Sequence, residues 1–181
     1  MSYNPLIIAN GFLDRAAARG ETLSPMKLQK LVYYAHGWFL ALTGESLLDE
    51  PIHAWLYGPV VNSIYQEFRR FGSHPITTRA TVPIAPPQHR GSSGEEDSVT
   101  DQGEQLANDP YLSGFLNRIW DIYGGYTASQ LSNKTHESGT PWSQIASQYR
   151  DRGTVPRRVI IPNDSIKAYF QANLVSDATE S

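Results

Sequence analysis

From Ser24 to Gly44 the chain specifies a helix with almost no solvent face. Leu28, Leu31, Val32, Ala35, Phe39 and Leu42 recur at three- and four-residue steps and so share one helical stripe. Ser24 and Pro25 mark the start. The serine can accept an N–H bond at the N-cap, and the proline sits at the first position, where no N–H is needed. Gly44 is a natural stop after Thr43. Opposite the stripe, beyond Lys27 and Lys30, stand Tyr33, Tyr34, Gly37, Leu40 and Ala41. A helix apolar nearly all round is covered on more than one side. Either it is the central helix of the domain, or its second face is kept for a partner. Gly37 and Ala41 would let another helix approach closely, and within one domain that visitor is most often intramolecular.

The flanking segments supply such visitors. Leu6, Ile7, Ala9, Asn10, Leu13, Ala16 and Ala17 predict a helix from about Pro5 to Arg19, opened by Asn4-Pro5 and stopped by Gly20. Ile52 to Tyr57 alternates enough for a short strand. Tyr57-Gly58-Pro59 then reads as a turn into a helix with Pro59 at its first position, Val60, Val61, Ile64, Tyr65, Phe68 and Phe71 inward, and Gly72 as its end. From Ser73 to about Gln105 the pattern is a loop with at most one short strand, and residues 79–105 form a polar insertion, acidic in its second half, expected to be flexible. Asp109-Pro110 opens an amphipathic helix ending at Gly124-Gly125, and a shorter one runs from Thr127 through Leu131. A loop from Lys134 to Trp142 leads into a helix from Trp142 to Gln148, capped by Thr140 with Pro141 first. Arg157 to Pro162 is extended, and Asn163 or Asp164 caps a last helix through Phe170. The tail should fray from about Val175. The expected fold is mainly α: a single helical domain over residues 1–175 on a central buried helix, with a small β-hairpin or short sheet and a disordered tail at 176–181.

At 181 residues, with hydrophobic content of 40% and charged content of 18%, the chain suits one globular domain with a substantial core. The net charge of -3 gives no general drive towards nucleic acid. With no cysteine there are neither disulfides nor thiolate metal sites, which fits a reducing cytoplasm. Met1 to Pro5 lacks a basic leader, and no apolar run reaches the ~18 residues of a membrane span. A cytoplasmic protein without a membrane partner is the expectation.

The catalytic templates are missing. There is no phosphate loop ending in Lys-Ser or Lys-Thr, no GxGxxG after a strand, no HExxH and no GxSxG. His36, His53, His74, His89 and His136 lack metal-ligand spacing, so no metal and no cofactor are expected. His36 suits a hydrogen-bonded structural role. His136-Glu137, in a Gly/Pro-rich loop, is where a general base could lie, although no nucleophile or second carboxylate accompanies it. Trp38, Trp55, Tyr57, Trp120 and Trp142 could stack bases beside Arg69, Arg70, Arg157 and Arg158. Those arginines come in pairs rather than in a stripe, and most of the aromatics fall on core faces. Aromatics at helix ends and turns also suit protein recognition, where Trp, Tyr and Arg dominate binding energy.

Several ordered motifs carry a resemblance. Pro25 to Trp38 (PMKLQKLVYYAHGW), Glu50-Pro51-Ile52-His53-Ala54-Trp55, Tyr57-Gly58-Pro59-Val60-Val61, Tyr123 to Ser132 (YGGYTASQLS), Thr135-His136 and Gly139-Thr140-Pro141-Trp142 resemble the Panacea domain. This is the SocA-like antitoxin family, which includes phage-associated GepA-like proteins. The resemblance runs from about Asn4 to Phe170 apart from the polar insertion. It implies an antitoxin of a bacterial or prophage toxin–antitoxin pair that neutralises a cognate protein toxin by direct binding. Family members serve with toxins of unrelated folds, so it names no toxin. One member delivers its toxin to a protease, which makes a protease a partner if this chain is an adaptor. Nucleic acid is expected only through the toxin.

The family offers no catalytic motif to carry over, so the candidate partner site is physical. It comprises Lys27, Lys30, Tyr33 and Tyr34 off the core stripe, Trp55, Tyr57 and Gly58 in the turn beside it, and His136, Pro141 and Trp142 in a loop closing over the same region. Two other functions remain open: a small hydrolase or nucleotide-modifying enzyme using His136 and Glu137, and a phage protein that blocks a host defence.

Overall fold

A computed structural model describes residues 2–82 and 109–179, with the side chains of 175–179 left aside. The expected insertion at 79–105 therefore lies mostly outside the described residues. So does the end of the expected tail.

Helix α1 (Pro5–Ala18) starts where Asn4 accepts from the Leu6 N–H, and α2 (Pro25–Thr43) where Ser24 accepts from Lys27. Two four-residue strands follow, β1 (Ile52–Trp55) and β2 (Gly58–Val61), and then α3 (Asn62–Phe68), which tightens into a 3₁₀ turn over Arg69–Phe71. Beyond the undescribed segment lie α4 (Pro110–Tyr123), α5 (Ala128–His136) and α6 (Pro141–Gln148), capped by Asp109, Thr127 and Thr140. The two-residue β3 (Ile160–Ile161) and α7 (Asn163–Thr179) complete the chain. The fold is mainly helical, with one small antiparallel sheet in the order β2-β1-β3.

Helix α2 is the axis. It packs against α1, α3, α4, α5, α7 and β2, and Leu28, Leu31, Val32 and Ala35 are fully buried. Its uncharged second face is covered by α7: the Phe170 ring lies where a Cβ on Gly37 would stand. Tyr33 and Tyr34 meet the same ring edge-to-face, with centroids 5.9 and 6.0 Å away. The intramolecular visitor is thus the one observed. Where a stripe of core residues was expected to reach Leu42, that side chain is 57% exposed, and at this end of α2 it is Leu40 and Ala41, on the side of α7, that are buried.

Three further departures have local causes. Pro59 opens no helix; it belongs to β2, where Ala54 is its register partner, and α3 begins only at Asn62. Helix α5 runs past Leu131 to His136, so Lys134, Thr135 and His136 are helical rather than loop. No breaker interrupts that run, and Thr127 and Gln130 form a reciprocal capping box at its start. Helix α7 continues beyond Phe170 to Thr179.

Two buried amides hold segments that sequence periodicity alone would leave as core filler. Gln29 donates to the Val61 carbonyl at 3.0 Å and accepts from the Val61 N–H at 2.9 Å, closing the outer edge of β2. Asn10 does the same for Ala80, at 3.0 and 2.8 Å. Each satisfies a backbone donor and acceptor that burial would otherwise strand.

A clamped hairpin as candidate partner-binding site

Trp55 pairs with Gly58, so the β1–β2 hairpin turns over Leu56 and Tyr57 alone. Neither has a positive φ; Gly58 does, at 103°. The turn thus takes its left-handed step at the glycine, a conformation that side chains rarely adopt. A Cβ there would also lie 2.7 Å from Thr135 Oγ1 and 2.9 Å from Lys30 Nζ. Gly58 is required twice over.

The carbonyls of this turn are gripped from three helices. From α6, the Trp142 indole N–H donates to the Trp55 carbonyl at 2.7 Å. From α5, His136 Nε2 lies 3.2 Å from the Leu56 carbonyl, and the Ser132 hydroxyl donates to the Tyr57 carbonyl at 3.1 Å. From α2, Lys30 Nζ donates to the Pro59 carbonyl at 3.1 Å. Second contacts fix the clamp in turn. His136 Nδ1 lies 2.6 Å from the Ser132 carbonyl, and the rings of His136 and Trp142 are 3.9 Å apart. Trp55 itself is held by its N–H on the Arg157 carbonyl at 2.9 Å, with the Tyr65 ring edge-to-face against it and the Arg157 guanidinium over its face.

With the backbone held, the side chains of the turn face outward. Leu56 is 62% exposed and Tyr57 66%, next to the exposed Met26. These three, with Pro25, Trp55 and Tyr65, line a mostly apolar groove of about 330 Å³ rimmed by Arg157. Lys30 lies beneath. It is fully buried, has the Pro59 carbonyl as its one hydrogen-bond acceptor among the described residues, and burial pulls its pKa down from 10.5 to about 7.

The residues singled out from sequence fall into three groups. Lys30, Trp55, Tyr57, Gly58, His136 and Trp142 converge on the hairpin, and Pro141 is buried at the start of α6 beside them. Among these only Tyr57 presents a largely exposed side chain, while Lys30 and Gly58 shape the turn from within. Tyr33 and Tyr34 stand apart in an aromatic cluster with Tyr123 and Phe170, and burial pushes both phenols up. Lys27 is tied to the chain itself, donating to the Gly124 carbonyl at 2.6 Å near the Trp120 ring. Leu56, Met26, Gln29 and Ser132 went unnoticed in the sequence. Leu56 alone was detectable there, as an apolar residue at the head of a turn.

The sites for chemistry separate. His136 lines an open, polar cavity of about 530 Å³ with Ser138, Ser143 and Arg150, whereas Glu137 lines a different one. Both ring nitrogens of His136 are within reach of backbone carbonyls. His36, wholly buried, has its Nε2 2.9 Å from Asn163 Oδ1. Among the described residues no cluster of three or more His, Asp or Glu could hold a metal ion, and no helix is long and apolar enough to cross a membrane.

Comparison with known proteins adds an independent line. No solved structure matches the chain. Antitoxin SocA of Caulobacter vibrioides (strain NA1000 / CB15N) is 35% identical over 141 residues, spanning 77% of this chain and 69% of that protein. The family described as antitoxin SocA-like, Panacea domain, matches residues 28–143, a span that contains Lys30, the hairpin, Ser132, His136 and Trp142. The chain belongs to the SocA-like antitoxin, Panacea-domain family.

Proposed function

We propose that this protein is an antitoxin that neutralises a cognate protein toxin by direct binding, using the clamped hairpin and its groove as the contact face. Membership of the family supports the antitoxin role. One observation carries the choice of face: three turn carbonyls accept bonds from three helices, with His136 Nε2 beside a fourth, while Leu56 and Tyr57 remain exposed. A turn already ordered loses little further entropy on binding, and a Tyr beside an apolar groove is the residue type that anchors interfaces. Met26, Leu56 and Tyr57 would enter the toxin surface, and Arg157 would lie at the rim. Inhibition is steric, the antitoxin covering the toxin's active surface.

The enzymatic alternative needs His136 and Glu137 in one solvent-lined pocket. They line separate cavities, and the imidazole is committed to backbone carbonyls. Binding is therefore the better reading. Co-expression with the product of the neighbouring gene, read out by growth and by pull-down, tests it. Rescue with a stable complex is expected. Neither rescue nor complex across candidate neighbours would overturn it.

A further inference from the structure

One residue beyond His136, Glu137 lines a second cavity, of about 200 Å³, with Tyr34 and Trp38 of α2, Tyr123 of α4, Lys134 of α5 and Tyr169 of α7. The rings are held in place. Tyr34 stacks on Tyr123 with centroids 4.1 Å apart, and the Trp38 indole N–H donates to the Tyr123 hydroxyl at 2.8 Å. Phe170 braces Tyr34, Trp38 and Tyr169 edge-to-face from within. Glu137 is exposed and, among the described residues, has no ion-pair partner. Its charge still reaches the cavity: with burial, it helps to push the Tyr34 and Tyr169 phenols up.

Several aromatic rings around a space with one unpaired carboxylate make a site for a cation, because ring faces and carboxylate both attract positive charge. The cluster already holds one. Lys134 Nζ sits 5.0 Å over the centroid of Tyr126, itself beside Tyr123. Lys134 thus lines the cavity with its ammonium over the outermost ring, while Glu137 makes no ion pair among the described residues.

We propose that this cavity receives an arginine side chain of the partner protein, its guanidinium among the tyrosine and tryptophan rings and paired with Glu137. Arginine is preferred to lysine because a planar guanidinium stacks on rings and bonds a carboxylate through two N–H groups at once. The proposal rests on the reading of this chain as a binder of a partner protein, but its chemistry is open to test without that partner. The full chain is titrated with N-acetyl-arginine methylamide, and in parallel with the uncharged citrulline analogue, while the Trp38 indole N–H is followed by NMR. The arginine probe should move that signal saturably and the citrulline probe should not. Glu137→Gln, a change at an exposed side chain, should weaken the arginine probe about three- to ten-fold. Equal shifts from both probes, a still Trp38 signal, or unchanged affinity in Glu137→Gln would each overturn the site. Such a failure would remove this cavity from the interface and leave the hairpin face to its own test.

Discussion

Lys30 is the residue whose replacement says most about how this structure is built. Its ammonium lies fully buried, with the Pro59 carbonyl as its one acceptor among the described residues, and burial lowers its pKa. The fall from 10.5 to about 7, at about 1.4 kcal/mol per pH unit, means that keeping the side chain charged in the fold costs about 5 kcal/mol relative to the unfolded chain. The sign follows from proton counting. Between pH 7 and 10.5 the unfolded chain binds the proton and the folded chain does not, so stability rises with pH across that window. Below pH 7 both states are charged and the penalty is constant. Lys30→Met keeps the volume and removes the charge, leaving the Pro59 carbonyl without its donor at a cost of about 1–3 kcal/mol. At pH 6 the variant should therefore be more stable than the wild type, by about 2 kcal/mol or more. The gap should close by about 2–3 kcal/mol by pH 9, as the wild-type lysine becomes neutral. Urea unfolding of both proteins at pH 6, 7.5 and 9 gives the comparison. A wild-type-minus-variant difference that stays flat over that range, or a variant uniformly less stable, would refute the assignment of Lys30 as an uncompensated buried cation. The variant should nevertheless bind the toxin less well, since its turn has lost the bond that α2 makes to the Pro59 carbonyl.

Three other changes probe the same framework by thermal or chemical unfolding. Gly58→Ala should lose about 2–3 kcal/mol, because the positive φ and the crowding by Thr135 and Lys30 act together; wild-type stability would contradict the turn geometry. Gln29→Ala should cost about 2–3 kcal/mol by stranding both the N–H and the carbonyl of Val61, and amide exchange at Val61 should quicken. Gly37→Ala pushes into the Phe170 ring and should destabilise by about 1–3 kcal/mol, with near-ultraviolet dichroism showing loosened aromatic packing between α2 and α7.

The helix starts were legible because capping is local. Asn4-Pro5, Ser24-Pro25, Asp109-Pro110 and Thr140-Pro141 each place an acceptor beside a residue that needs no N–H bond, and each opens a helix. The same rule misled at Gly58-Pro59. There the chain runs on as β2, joined to β1 on one side and, at Val61, to Gln29 on the other, contacts that no local pattern encodes. Burial of Lys30 was likewise invisible, since a lysine on a helix reads as surface until the hairpin and α5 are laid over it. Tyr33 and Tyr34 stood out for being uncharged on a second face, and the residue that explains them, Phe170, is far along the chain. At the candidate site, aromatic type and turn position pointed to Trp55, Tyr57, His136 and Trp142. That His136 and Trp142 reach the carbonyls of the turn to which Trp55 and Tyr57 belong emerges only in three dimensions.

The central claim is that the tip of the hairpin, rather than the clamp beneath it, meets the toxin. Leu56→Ser with Tyr57→Ala removes exposed side chains and leaves the backbone contacts of the turn intact, so the unfolding midpoint should stay within about 0.5 kcal/mol of wild type. Affinity for the co-expressed toxin, measured by titration calorimetry, should fall by at least about ten-fold, the loss expected when one aromatic anchor is truncated. Wild-type affinity in a correctly folded double variant would contradict the account.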